Sequence, residues 1–89
     1  MTDWNPKEKM GLLGYLKFKL GKWVRVSSPP NWVFEANDGY YEGYIEKYGR
    51  RPYDVEKIYV GDSLEYKIYY KTVGQGQIGE EYYARLKKR

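Results

Sequence analysis

The side chains that most often carry chemistry are missing before any pattern is sought: the chain of 89 residues has no His and no Cys. Ser-His and Cys-His nucleophiles, zinc centres built on thiolate or imidazole, and disulfide frameworks are thereby excluded. What is left for catalysis is carboxylate and lysine. Asp54 stands just ahead of a stretch that reads as a β-hairpin, Glu65 and Lys67 lie on its second arm, and Glu42 precedes them on a helical stretch. Two acids within reach of each other would hold Mg²⁺, and a lysine beside them would orient or activate an attacking water. Gly74-Gln75-Gly76-Gln77-Ile78-Gly79 matches G-x-G-x-x-G in letters, but no βαβ unit surrounds it, so it reads as a hairpin loop.

The order Asp54, then Glu65-Tyr66-Lys67, resembles the acid followed by Glu-x-Lys of the PD-(D/E)xK nuclease superfamily, over residues 42–67. That resemblance implies a metal-dependent phosphodiesterase centred on Asp54, Glu65 and Lys67. The chain departs from the pattern in placing Tyr53 between Pro52 and Asp54 and in leaving little room for the usual first strand. Glu65 and Lys67 also read as ordinary charged residues on the solvated side of a strand. No catalytic site, cofactor or metal is therefore expected.

A second constellation is basic and aromatic. From Tyr15 the residues alternate: Leu16, Phe18, Leu20, Val24 and Val26 share one parity, and Tyr15, Lys17, Lys19, Trp23 and Arg25 the other. If the first set is buried, Lys17, Lys19, Trp23 and Arg25 project together from a sheet. Cations that meet phosphates beside an aromatic surface that stacks on bases are what sheet readers of nucleic acid use. The mixture is similar in a general way to the small basic sheet proteins that coat archaeal DNA. Arg50 and Arg51 form a second basic cluster, and Arg85, Lys87, Lys88 and Arg89 a third; side by side they would make one continuous basic edge. The 12 Tyr exceed what one small core hides, so several must reach the surface, where Tyr and Arg also suit a protein interface.

The elements that must position these groups follow from periodicity. Asn5-Pro6-Lys7-Glu8 has the form of a helix start, although residues 1–11 as a whole are expected to be loose. The alternation over residues 15–26 predicts strand, with Gly21 as a turn or bulge; the competing reading is a helix over residues 6–20 using Leu12, Leu13, Leu16 and Leu20. Pro29-Pro30 breaks the chain, residues 32–36 read as a short strand, and Tyr41, Tyr44, Ile45 and Tyr48 predict the buried stripe of a helix over about 38–48, stopped by Gly49. Residues 55–60 and 64–73 flank the turn Gly61-Asp62-Ser63 as a hairpin. Residues 80–89 read either as a closing helix or as a further, edge strand.

The expected fold is therefore α+β: one small domain over residues 1–89, an antiparallel β-sheet with one central helix packed on it. With neither disulfide nor metal to staple it, stability has to come from packed side chains, aromatic ones above all. The Lys, Glu, Arg and Tyr bias resembles thermophile composition. No stretch approaches the roughly 20 apolar residues of a membrane span, and no leader-like segment is read, so a cytoplasmic site, in a cell or virion, and no membrane partner are expected. The net charge of +4 favours anionic partners only mildly. The function expected is a non-enzymatic nucleic-acid-binding module using Lys17, Lys19, Trp23, Arg25, Arg50 and Arg51; the alternative is a protein-interaction module with a Tyr- and Trp-rich interface.

Overall fold

A computed structural model describes residues 4–87. The chain is a small α+β domain with two helices and a four-stranded antiparallel sheet. In chain order the elements are α1 (Pro6–Lys19), β1 (Val24–Val26), α2 (Asn31–Tyr48), β2 (Val55–Val60), β3 (Leu64–Thr72) and β4 (Ile78–Leu86). The sheet order is β1-β4-β3-β2. The C-terminal segment is thus a strand, and it lies inside the sheet between β1 and β3 instead of at an edge. Lys88 and Arg89 lie outside the described residues.

Residues 15–26 are not the alternating strand that their parity predicts. Asn5 caps α1, its Oδ1 accepting from the Lys7 N–H at 3.0 Å, and Pro6 opens the first turn. Gly11, at φ 73°, interrupts the helix, which then resumes and runs to Lys19. Gly21, at φ 82°, ends it: its N–H donates to the Phe18 carbonyl at 2.9 Å, while the Lys22 N–H donates to the Lys17 carbonyl at 3.3 Å. The glycine predicted as a turn or bulge in a strand is a helix stop. Of the even-numbered set only Phe18, Val24 and Val26 are buried, and Leu16 and Leu20 face out. Two hydrogen bonds link residues 4–11 to the segment after β1: the Trp4 indole donates to the Ser28 carbonyl at 2.6 Å, and the Ser27 N–H to the Lys9 carbonyl at 3.0 Å.

The second helix begins seven residues earlier than its predicted start. Pro30 takes an extended conformation at the N-cap, so the proline pair precedes a helix, and residues 32–36 are its first turns instead of a strand. Gly49, left-handed at φ 71°, closes it as expected, donating to the Ile45 carbonyl. The earlier start changes which face is buried. Val33 and Asn37 are buried, Tyr40 and Tyr41 pack partly against the core, and Ile45 and Tyr48 are exposed.

Hairpin β2–β3 forms as expected, with Tyr59 opposite Tyr66 and Val55 opposite Tyr70. Both helices cover one side of the sheet. There Phe18, Val24, Val26, Val33, Tyr59, Tyr66, Ile68, Tyr70 and Ala84 make the core. Its polar centre is Asn37, whose Nδ2 donates to the Tyr70 hydroxyl at 2.6 Å while its Oδ1 accepts from the Tyr59 hydroxyl at 2.8 Å. Burial raises the pKa of both phenols, that of Tyr59 to about 12.

Candidate functional site

The side of the sheet away from the helices is uncovered. Strand pleating sends alternate residues there. β3 contributes Glu65, Lys67, Tyr69 and Lys71, and β4 contributes Glu81, Tyr83 and Arg85, paired as Glu65 with Arg85, Lys67 with Tyr83 and Tyr69 with Glu81. β1 adds Arg25, opposite Tyr83, and Trp23 precedes it at the strand's entrance. β2 adds Glu56, opposite Tyr69, and the exposed Ile58 and Val60.

Trp23 is the centre of a cation-lined cluster. The Arg85 guanidinium carbon lies 4.3 Å from the Trp23 ring centroid and the Lys67 ammonium 4.6 Å; the same ammonium is 5.0 Å from the Tyr83 ring. Each of those cations also meets a carboxylate: Arg85 Nε donates to Glu65 Oε1 at 2.6 Å, and Lys67 Nζ lies 3.4 Å from Glu56. Toward the β1 edge, Arg25 and Lys71 share Glu81 Oε2 at 3.5 and 3.6 Å. The Tyr83 hydroxyl donates to the other Glu81 oxygen at 2.8 Å. That bond, with Lys71 and Arg25 nearby, holds the Glu81 carboxyl below the usual carboxylate range, while burial and Glu81 push Tyr83 up. Arg25 and Lys71 are more than half exposed while sharing one acid, so positive charge is in excess at this end.

The sequence-predicted site is divided by this geometry. Trp23 and Arg25 stand together on the open face. Lys17 and Lys19 do not: they sit in the last turn of α1, in the helical layer on the other side of the sheet. Arg50 and Arg51 follow α2, with the Arg50 guanidinium 4.6 Å from the Tyr53 ring centroid and 5.9 Å from that of Tyr44. Among the described residues no continuous basic edge joins them to Arg85 and Lys87. Residues 50–51 lead into the end of the sheet where Val55 pairs with Tyr70, whereas Lys87 follows the end where Leu64 pairs with Leu86 and bonds to Ser63 and Gly61. Lys67, Tyr69, Lys71, Tyr83 and Arg85 were missed as members of the site. The period-2 split of β4, with Tyr82, Ala84 and Leu86 inward and Glu81, Tyr83 and Arg85 outward, was the signal that would have found the last two.

The acids of the nuclease-like pattern do not converge. Asp54 caps the end of the hairpin where its Oδ1 accepts from the Thr72 N–H, and Glu65 lies opposite Val60 at the other end. At strand rise that is a separation of about 20 Å. Glu42 is on α2, across the sheet, and Lys67 is already engaged with Glu56 and Trp23. Among the described residues no three acids group as a metal site would need. No helix among them is long and apolar enough to cross a membrane. Compared with family models, curated proteins and solved structures, the chain matches none.

Proposed function

We propose that this protein is a non-enzymatic nucleic-acid-binding module that takes single strands on its open sheet face. The observation that carries this reading is the placement of both helices on one side of the sheet, which leaves the half-buried Trp23, Tyr69 and Tyr83 on the other side, covered by no helix, among Arg25, Lys67, Lys71 and Arg85. A flat aromatic surface suits unpaired bases, because every base offers a stacking face while bases in a duplex are already stacked. The neighbouring cations supply the phosphate contacts. Because Lys67 and Arg85 are largely buried and each has a carboxylate of its own, while the exposed Arg25 and Lys71 share one, the electrostatic share falls mainly to Arg25 and Lys71.

That division predicts the salt response. Two phosphate contacts to a single strand give a slope of log affinity against log salt of about −1.4. Trp23→Ala weakens binding by about 1–3 kcal/mol with the slope unchanged, whereas Arg25→Ala with Lys71→Ala flattens it. Titrating labelled single-stranded DNA and RNA, with duplex as a control, at two salt concentrations reads both effects. No binding at low salt, a preference for duplex, or a Trp23→Ala protein equal to the parent would sink the proposal.

One observation favours a second reading, a protein partner. Glu56, Glu65 and Glu81 interleave with the cations, and a face with both signs of charge and exposed aromatics matches a mixed protein surface. Absence of nucleic-acid binding in the titration above would leave this reading in place.

A further inference from the structure

Helix α1 presents an apolar face that nothing in the structure covers. Leu12, Leu13, Leu16 and Leu20 are 67, 77, 55 and 74% exposed. At 100° per residue they occupy an arc of about 100°, centred opposite Phe18 and Gly14, which face the core. Lys17 and Lys19 border that arc, one on each side. The surroundings are strongly basic. Up to residue 34 the sequence has six basic residues against two acidic, and after it ten against ten, so the entire net charge belongs to the α1–β1 part of the chain. Among the described residues Lys7, Lys9, Lys17, Lys19 and Lys22 pair with no carboxylate.

Three occupants would cover leucine, and the lysines discriminate between them. A second copy of this helix would bring Lys17 and Lys19 against their own equivalents. The leucine surface, on the order of 500 Å², also falls short of the roughly 800 Å² per partner of a stable dimer. A protein groove would be met by Trp, Tyr or Arg anchors, whereas Leu is under-represented among such anchors and Lys is depleted at their interfaces. A ridge of leucines flanked on both sides by lysines fits a bilayer carrying anionic headgroups: the leucines enter the acyl boundary and the lysine stems reach back to phosphate. We propose that the leucine face of α1 is a docking surface for anionic membrane lipid, on which the helix lies flat. The lack of a spanning helix concerns crossing a bilayer and not lying on one. The surface is separate from the open sheet face, and the two assays fail independently.

Co-sedimentation with vesicles of phosphatidylcholine alone, and of phosphatidylcholine mixed with phosphatidylglycerol, tests it at low and moderate salt. The protein is expected to pellet with the mixed vesicles and stay in solution with the neutral ones. Lys17→Gln and Lys19→Gln should each weaken binding about fivefold. Leu16→Asp with Leu20→Asp should weaken it at least about tenfold while the far-UV circular dichroism stays unchanged, because both positions are exposed. Vesicle binding that survives the leucine substitutions would reduce the contact to charge alone and overturn the proposal. So would a dimer in sedimentation velocity that the same substitutions dissociate, which would make the face a self-interface. Failure to pellet with either vesicle, with no self-association, would overturn it in favour of a protein groove.

Discussion

On the inner face of the sheet Tyr59, Tyr66 and Tyr70 lie under two helices, and the hydroxyls of Tyr59 and Tyr70 converge on Asn37; on the outer face Tyr69 and Tyr83 are half-buried among charged side chains, with no helix over them. The same residue type does different work on the two sides. A buried phenol leaves water only if its hydroxyl finds a partner, and one amide serves two of them here. The half-buried phenol of Tyr83 gives its hydroxyl to a charged partner, Glu81, and offers its ring face, against which Lys67 is held. The inner face therefore depends on neutrality and fixed hydrogen bonds, while the outer depends on charges that salt and solvent can loosen.

Alkaline titration separates the two faces most strongly. Tyr59 is pushed up to about 12 and Tyr70 further in the same direction, so the folded state holds their protons more tightly than the unfolded chain, whose tyrosines titrate near 10. The stability this represents is complete below pH 10 and is lost as pH rises through 12. Fluorescence-monitored urea unfolding across that range should show the midpoint collapsing; a flat profile would mean that the two hydroxyls are not sealed in. Next in size, Asn37→Ala strands both hydroxyls and should cost about 2–3 kcal/mol, against a clearly smaller loss for Glu81→Ala on the open face. Equal losses in the two proteins would erase the distinction. Smallest of all is Ile45→Asp: with Ile45 37% exposed, the change should move stability by no more than about 0.5 kcal/mol. Unfolding by that substitution would restore the helix face that the sequence pattern suggested.

Two of the sequence's strongest patterns led in different directions. The hairpin at residues 55–72 was legible because turn residues and alternation agreed, and the Gly49 stop was legible because glycine after an apolar stripe has one common use. Residues 15–20 were not, since Leu16, Phe18 and Leu20 alternate as a strand would, while a helix that leaves leucines in the open defies the rule that apolar residues mark the core. The start of α2 was hidden by Pro29-Pro30, which end one element and begin the next equally well. The candidate site was half legible for the same reason. Trp23 and Arg25 lie next to a true strand, whereas Lys17 and Lys19 were grouped with them by a parity that a helix does not obey.

The position of β4 has a consequence for how the molecule is made. Strand β1, three residues long, is joined to the sheet only through β4, which comes last among the elements. During synthesis α1 and β1 emerge ahead of β2, β3 and β4 and have no sheet to join until the hairpin and the loop after it have followed. In that interval Phe18 of α1 and the valines of β1, all buried in the finished fold, are unsheltered together, on a chain whose first third carries all of its excess positive charge. Like charges on that segment repel one another, which opposes association between chains in which β4 has yet to pair.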